Sequence, residues 1–227
     1  TGSTVATLLS AIGGKTSGTV TQTTAVTITG TTAEINAALI GASSVVAANS
    51  AFTASAADMT AAQLAVLDDL TTNIITATLA TGNAASFSAM TDDRSNNVIT
   101  VNINGTGDVA ATVLSAIGGK TSGTVTLTTV INITGVQSAV TTALIGASSV
   151  AVGAAVTVGI SDAAGVTLTA LNLSNIGGLT SGTVTVASAV IITGSTAQLN
   201  TALIGAASVV AATARLTSND TNMTAAQ

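Results

Sequence analysis

Apolar residues along the chain follow two alternating rhythms. Leu9/Ile12, Leu64/Leu67, Leu114/Ile117 and Leu173/Ile176 lie three apart. That spacing puts both members on one face of a short helix. A different rhythm follows in Thr19-Val20-Thr21 and again in Val26-Thr27-Ile28-Thr29. β-Branched residues at period two predict strand. The helical spacing then returns, four apart, in Ile35/Leu39, Val140/Leu144 and Leu199/Leu203. Second extended runs cover 43–48, 148–152 and 207–212. The pattern therefore reads helix, strand, helix, strand. Alternation predicts that Val20, Val125 and Val184 point into the core beside Ile28, Ile133 and Ile192, with Thr19 and Thr21 facing out.

Boundary signals agree with these elements. Thr31 with Glu34, Thr60 with Gln63, Ser195 with Gln198 and Thr224 with Gln227 are capping-box pairs, and Thr169 with Asn172 is a looser one. Such pairs satisfy the free N–H groups at a helix start. Gly13-Gly14 after Ile12 is a stop signal, expected to use the left-handed conformation open to glycine. Gly41, Gly146 and Gly205 stop the second helices. With only Phe52 and Phe87 as aromatics, the core is expected to be thin, with Leu39 and Leu144 buried in it.

The rhythm is also a repeat. Ile12-Gly13-Gly14-Lys15-Thr16-Ser17-Gly18-Thr19-Val20-Thr21 recurs unchanged from Ile117 to Thr126, and from Ile176 to Thr185 with Leu179 for Lys. A weaker copy runs from Leu67 to Thr76, with Asp68, Asp69 and Asn73 replacing glycines. Recurrence at this period is the signature of stacked supersecondary units. The expectation is one continuous domain, 1–227, of four units at 5–59, 60–109, 110–168 and 169–227, each of two coils. The expected fold is a right-handed parallel β-solenoid with short helices between strands. The alternative is an all-β solenoid in which the short helices are strands and turns.

Composition narrows the function classes. Charged residues are 6% and aromatics 1%, against about 25% charged in ordinary domains. Hydrophobic residues at 47% oppose disorder. A mean hydropathy of +0.71 invites a membrane reading, yet no run approaches the ~20 apolar residues of a spanning helix. Residues from Thr1 onwards do not read as a signal peptide, and the chain reads as an interior piece of something longer. Net charge −5, with only Lys15, Arg94, Lys120 and Arg215 positive, argues against nucleic acid. No Cys is present, which excludes disulfides and thiolate metal sites.

Candidate chemistry is sparse. Gly14-Lys15-Thr16 resembles the end of a phosphate loop. Leu9 stands where such a loop needs its first Gly, and the strand and helix come in the wrong order, so a turn is expected. Asp92 and Asp93, with Asn96 and Asn97, carry oxygen ligands of the kind calcium takes, and are the candidate metal site. Arg94 competes for those carboxylates and the ligand spacing is irregular, so a solvated, protruding loop at 91–97 is the expectation. Asp68-Asp69, at a helix end, reads as a surface feature. Without His or Cys the commonest bases and nucleophiles are missing, and neither an enzyme nor a cofactor is expected. Thr19/Thr21, Thr76/Thr78, Thr124/Thr126 and Thr183/Thr185 raise the further possibility of a Thr-array, ice-binding face.

Leu64-Ala65-Val66-Leu67-Asp68 with Thr71-Thr72, and the run Ile28-Thr29-Gly30-Thr31-Thr32-Ala33-Glu34-Ile35-Asn36-Ala37-Ala38-Leu39, resemble the tandem repeats of very large secreted cyanobacterial surface proteins. The resemblance covers nearly the whole chain. It implies an extracellular, cell-surface location and a structural or adhesive role. Calcium-binding Gly-Gly-x-Gly-x-Asp nonapeptides, frequent in such proteins, are absent here. The leading expectation is a structural segment of a giant surface or fibre-forming protein; the alternative is an adhesin stalk. Expected partners are further copies of the chain, end to end or lateral, with surface polysaccharide a candidate. Both ends read as uncapped repeats, which predicts head-to-tail association of the isolated chain.

Overall fold

Ile28, Phe52 and Ile75 lie side by side on three neighbouring parallel strands, and all three are buried. Their flanking Thr residues, Thr29, Thr53 and Thr76, face the other way and are half-buried. This is what period-two alternation dictates when one face of a strand is covered. The computed structural model describes residues 2–41, 45–90, 97–146, 150–153, 155–205 and 209–221.

The chain divides into two compact units. The first comprises Thr1–Asn102 with Gly119–Val125. Its main run of parallel strands is Ser3–Val5, Thr27–Gly30, Ala51–Ala54, Ile75–Thr78 and Val98–Ile103, in that order. A separate pair joins Val20–Thr21 to Val45–Val46. Three helices belong here: α1 (Ala6–Gly13), α2 (Thr32–Asn36) and α3 (Ala61–Asp69). The second unit comprises Ile103–Gly118 with Thr126–Gln227. It holds α4 (Ala111–Gly118), α5 (Gln137–Leu144), α6 (Ala170–Gly177) and α7 (Thr196–Asn200). Its five-stranded sheet runs Asp108–Ala110, Asn132–Gly135, Thr157–Ile160, Val184–Val186, Val209–Val210. Its three-stranded sheet runs Thr167–Thr169, Ile191–Gly194, Arg215–Ser218.

The expected right-handed β-solenoid is corrected, and so is its all-β alternative. Among the described residues the strands fall into four parallel sheets, of seven, five, three and two strands. Seven α-helices are interleaved with them. This is a mixed α/β fold. Alternation reports which face of a strand is covered, but not which strands join into one sheet. The joins here are broken by length: Val20–Thr21 and Val45–Val46 are two residues each and form their own sheet.

The core matches the alternation at most positions. Val125 and Val184 are buried, as are Ile28, Ile133 and Ile192, while Val20 is only half-buried. Leu39 and Leu144 are buried, and Phe52 and Phe87 are the largest enclosed side chains. Capping boxes form at Thr31/Glu34, Thr60/Gln63 and Ser195/Gln198. Thr169 caps α6 by accepting the Asn172 amide, while 224–227 lie outside the described residues.

Two local expectations are corrected as well. Gly14 ends α1 at φ −68°, and Gly178 ends α6 at the same φ, so neither enters the left-handed region. A short turn closes the helix instead, with the Lys15 amide donating to the Ile12 carbonyl at 3.0 Å. The second helices are not uniformly α. Residues Ala37–Gly41 and Thr201–Gly205 widen into π-turns, where the helical spacing predicted a regular helix.

Candidate functional site

The recurring Thr-Ser-Gly turn gathers a dense cluster of side-chain hydrogen bonds. In the second full copy, Thr121 Oγ donates to the Ile99 carbonyl at 2.8 Å and accepts the Ile99 amide at 2.8 Å. It also reaches the Asn97 carbonyl at 3.1 Å. The Gly123 amide folds back onto the same hydroxyl at 2.8 Å, closing a small side-chain turn. Ser122 adds a second link, its amide and hydroxyl both donating to the Asn97 carbonyl.

The other copies repeat the device. Thr180 Oγ donates to the Val156 carbonyl and accepts the Gly182 amide. Thr71 Oγ donates to the carbonyls of Ser50 at 2.6 Å and Ala48 at 3.2 Å, and accepts the Asn73 amide. All three threonines are buried. Each hydroxyl therefore supplies, to backbone entering a strand, a partner of the kind a neighbouring strand gives. Thr16 is exposed, and its hydroxyl accepts the Gly18 amide at 2.9 Å.

Gly is required where the turn closes in two of the copies, at Gly123 and Gly182. A Cβ on Gly123 would come within 2.6 Å of the Ile99 carbonyl carbon, and one on Gly182 within 2.7 Å of that of Val156. Gly18 meets only the Thr16 hydroxyl, at 3.4 Å. Lys, by contrast, is not used as a phosphate loop would use it. Lys15 is exposed, Leu179 stands in its place in another copy, and Lys120 Nζ donates to the Met90 carbonyl at 2.6 Å. Each of these positions follows a helix, so the segment is a turn.

Acidic residues serve the same end of tying segments together. Asp68 was expected at the surface but is buried: its Oδ1 accepts from Asn97 Nδ2 at 2.8 Å, and Asn97 Oδ1 accepts the Ile75 amide at 2.8 Å. Asp162 Oδ2 accepts the amide of Gln137, the first residue of α5, at 2.6 Å. The residue before it, Val136, has no side chain able to do so. Gln137 in turn brackets Thr169, donating Nε2 to its carbonyl and accepting its amide. Asp220 accepts the Thr196 amide at the start of α7 at 2.6 Å. The Thr196 hydroxyl and amide, helped by the Ser218 hydroxyl, hold the Asp220 carboxyl below its usual range. On the five-stranded sheet Asn132 Nδ2 donates to Asp108, and Thr157 Oγ donates to Asn132, a polar row across three strands.

The candidate calcium ligands Asp92 and Asp93, with Asn96, lie outside the described residues; Asn97 is the residue just described. Among the described residues no group of three or more His, Cys, Asp or Glu is placed to hold a metal. No described helix is long and apolar enough to cross a membrane. The Thr-x-Thr pairs are not stacked on one another: Thr21 lies beside Val46, and Thr185 lies between Gly159 and Val210. Continuous Thr rows form as Thr29–Thr53–Thr76, which takes in one member of the Thr76/Thr78 pair, and as Thr169–Thr193–Thr217.

Two open apolar grooves lie beside the second helices. One, of about 380 Å³, is lined by Asn36, Ala37, Ile40, Ala62, Gln63 and Val66. The other, also about 380 Å³, includes Leu199, Asn200, Leu203, Ile204 and Leu216. The chain matches no protein-family model, no curated protein and no solved structure.

Sequence reasoning singled out the recurring motif but missed the role of its Thr. The signal was present, because Thr is the one residue of the turn kept in all four copies, through Leu70-Thr71-Thr72-Asn73 as well. Asp162, Asp220 and Gln137 carried no comparable signal. Their partners lie 24 to 32 residues away, in segments that no local pattern links to them.

Proposed function

We propose that the chain is an extracellular structural protein, a segment of a cell-surface or fibre-forming molecule that associates with copies of itself. The observation that carries this reading is the Thr clamp. The same turn recurs, and in three of its four copies its hydroxyl is committed to main-chain carbonyls at the start of a strand 21 to 24 residues earlier. Other polar side chains form helix caps and cross-strand rows. Chemistry arranged this way holds segments in place, which suits a structural role. The sequence resemblance to secreted surface repeats supports the location.

Labelling of cells that express the protein tests it. Antibodies raised against the purified chain should decorate intact cells, or fibres around them, without permeabilisation. Label seen only after permeabilisation would overturn the extracellular assignment.

A further inference from the structure

We propose that Asn104-Gly105 is a covalent modification site, where the chain converts asparagine to aspartate and isoaspartate without an enzyme, and that the Thr129 hydroxyl holds the reaction back. All three residues belong to the second unit. The inference does not depend on the extracellular reading above.

Asparagine is among the residues that proteins lose on heating and ageing. The loss begins when the main-chain nitrogen of the next residue attacks the side-chain carbonyl carbon. A side chain on that next residue obstructs the approach, so glycine permits it best. Asn104-Gly105 is the one Asn-Gly pair in the sequence. It sits in the irregular link between the strands Val98–Ile103 and Asp108–Ala110. Gly105 has φ 149° and Gly107 φ 102°, backbone that residues with a side chain rarely adopt. Among the described residues, none hydrogen-bonds the Asn104 side chain. The matching stretch before α6, Ala163-Ala164-Gly165, has no asparagine, so the site belongs to one copy alone.

The step balances with water as the only co-reactant. The Gly105 nitrogen gives up its proton and bonds to Asn104 Cγ. The Cγ–Nδ2 bond breaks, and Nδ2 leaves as ammonia with that proton. Water then opens the resulting succinimide ring. Opening at the side-chain carbonyl gives aspartate. Opening at the main-chain carbonyl gives isoaspartate, in which the main chain runs through Cγ.

The fold opposes the first of these events. The Gly105 amide donates to Thr129 Oγ at 2.9 Å, its one partner among the described residues. The same hydroxyl donates to the Gly105 carbonyl at 2.7 Å. Thr129 thus holds both main-chain groups of Gly105, as Thr121 holds those of Ile99. The two settings differ in burial. Thr121 is buried, whereas Thr129 is exposed and Gly105 half-buried, so water reaches the pair whenever the clamp opens. Asn49-Ser50 is a contrast within the chain: the Ser50 amide donates to the Ala47 carbonyl at 2.9 Å and Ser50 is fully buried. Isoaspartate at residue 104 would lengthen the main chain just before Asp108–Ala110. That strand is last in its sheet order and pairs with Asn132–Gly135 on one side, so the sheet would loosen at this edge.

Peptide mapping by mass spectrometry of the folded chain, incubated near neutral pH, reads the conversion. Labelling by a protein-isoaspartate methyltransferase reads the isoaspartate. Wild type should accumulate both products at residue 104, and Asn104→Gln should accumulate neither there. Thr129→Val should convert about 2- to 10-fold faster than wild type, the rate equivalent of one hydrogen bond. Thr129→Ser keeps the hydroxyl and should stay near the wild-type rate. Asn49 should convert no faster in the Val variant than in wild type. Denatured wild type should convert at residue 104 at least as fast as the Val variant, a reference that needs no variant to fold. No conversion at residue 104 in any of these proteins would overturn the site. Equal rates in folded and denatured wild type, or in wild type and Thr129→Val, would overturn the guard. Faster conversion at Asn49 as well as at Asn104 in the Val variant would assign the effect to general unfolding, and would overturn the guard too.

Discussion

Thr121 Oγ hydrogen-bonds both main-chain groups of one residue, taking the amide of Ile99 and giving to its carbonyl, each at 2.8 Å. Both residues are buried, so water is not at hand to replace either bond. Thr121→Val keeps the shape and removes the hydroxyl. It should destabilise the fold by about 1–3 kcal/mol, the range for leaving buried polar groups unmatched. Thr121→Ser keeps the hydroxyl and should recover most of that loss. Denaturant melts of the three proteins measure the order, and a Val variant as stable as wild type would show that the clamp contributes nothing.

The glycine of the same turn sets a second comparison. Gly123→Ala and Gly182→Ala would each drive a methyl group into main-chain carbonyl atoms, which have little freedom to shift. Overpacking of this kind costs about 1–3 kcal/mol and sometimes more. Gly18→Ala meets only a hydroxyl at 3.4 Å, and restricting the unfolded chain there should make it neutral or stabilising by up to about 1 kcal/mol. Thermal melts should therefore separate chemically identical changes at three copies of one motif. Equal effects at all three would contradict the geometry.

This contrast also marks what was legible in the sequence. Period two correctly put Ile28, Ile133 and Ile192 inward, because alternation is a local property of each strand. Capping boxes at Thr31, Thr60 and Ser195 were legible for the same reason. The grouping of strands into four sheets was not, since it depends on where pairing stops between segments far apart in sequence. Asp68 shows the limit most clearly. Its position at a helix end argued for exposure, but Asn97, distant in the chain, supplies the amide that allows its burial. Copies of a motif look equivalent in sequence, yet Thr16 and Thr121 differ because only one has a strand in front of it.

Helix starts capped from another segment give a third prediction. Asp162→Ala removes the acceptor for the Gln137 amide at the start of α5. Loss of a cap costs about 0.5–2 kcal/mol, and the burial of Asp162 and Gln137 favours the upper part of that range. A local readout is available as well, because hydrogen exchange at the first turn of α5 should accelerate before the rest of the unit. Unchanged exchange there would mean that the amide finds another partner.

Asp220 gives the pH dependence. Its folded-state pKa is lowered, chiefly by the Thr196 hydroxyl and then by the Thr196 amide. A lowered carboxyl pKa contributes stability above the ordinary aspartate range and loses it as pH falls through the folded value. Melting temperature measured against pH should therefore show wild type above Asp220→Asn at neutral pH, the two converging in acid below the usual carboxylate range. A difference that persists at the acid end would assign the effect to packing instead of charge.

Ser50 supplies the last prediction, in the opposite direction. Its carbonyl accepts the Thr71 hydroxyl at 2.6 Å, but its own Oγ is fully buried and has no hydrogen-bond partner. A buried hydroxyl without a partner carries its desolvation cost uncompensated. Ser50→Ala deletes that oxygen, leaves the carbonyl in place, and creates a void no larger than the atom removed. The variant should be more stable by up to about 1 kcal/mol, with the Thr71 clamp intact. Thr71→Val in the same background should then cost as much as it does in wild type, because the clamp uses the main chain of residue 50 and not its side chain. A double-mutant cycle measured by denaturant melts decides this. Coupling of more than about 0.5 kcal/mol between the two sites would show that the Ser50 hydroxyl takes part in the clamp after all.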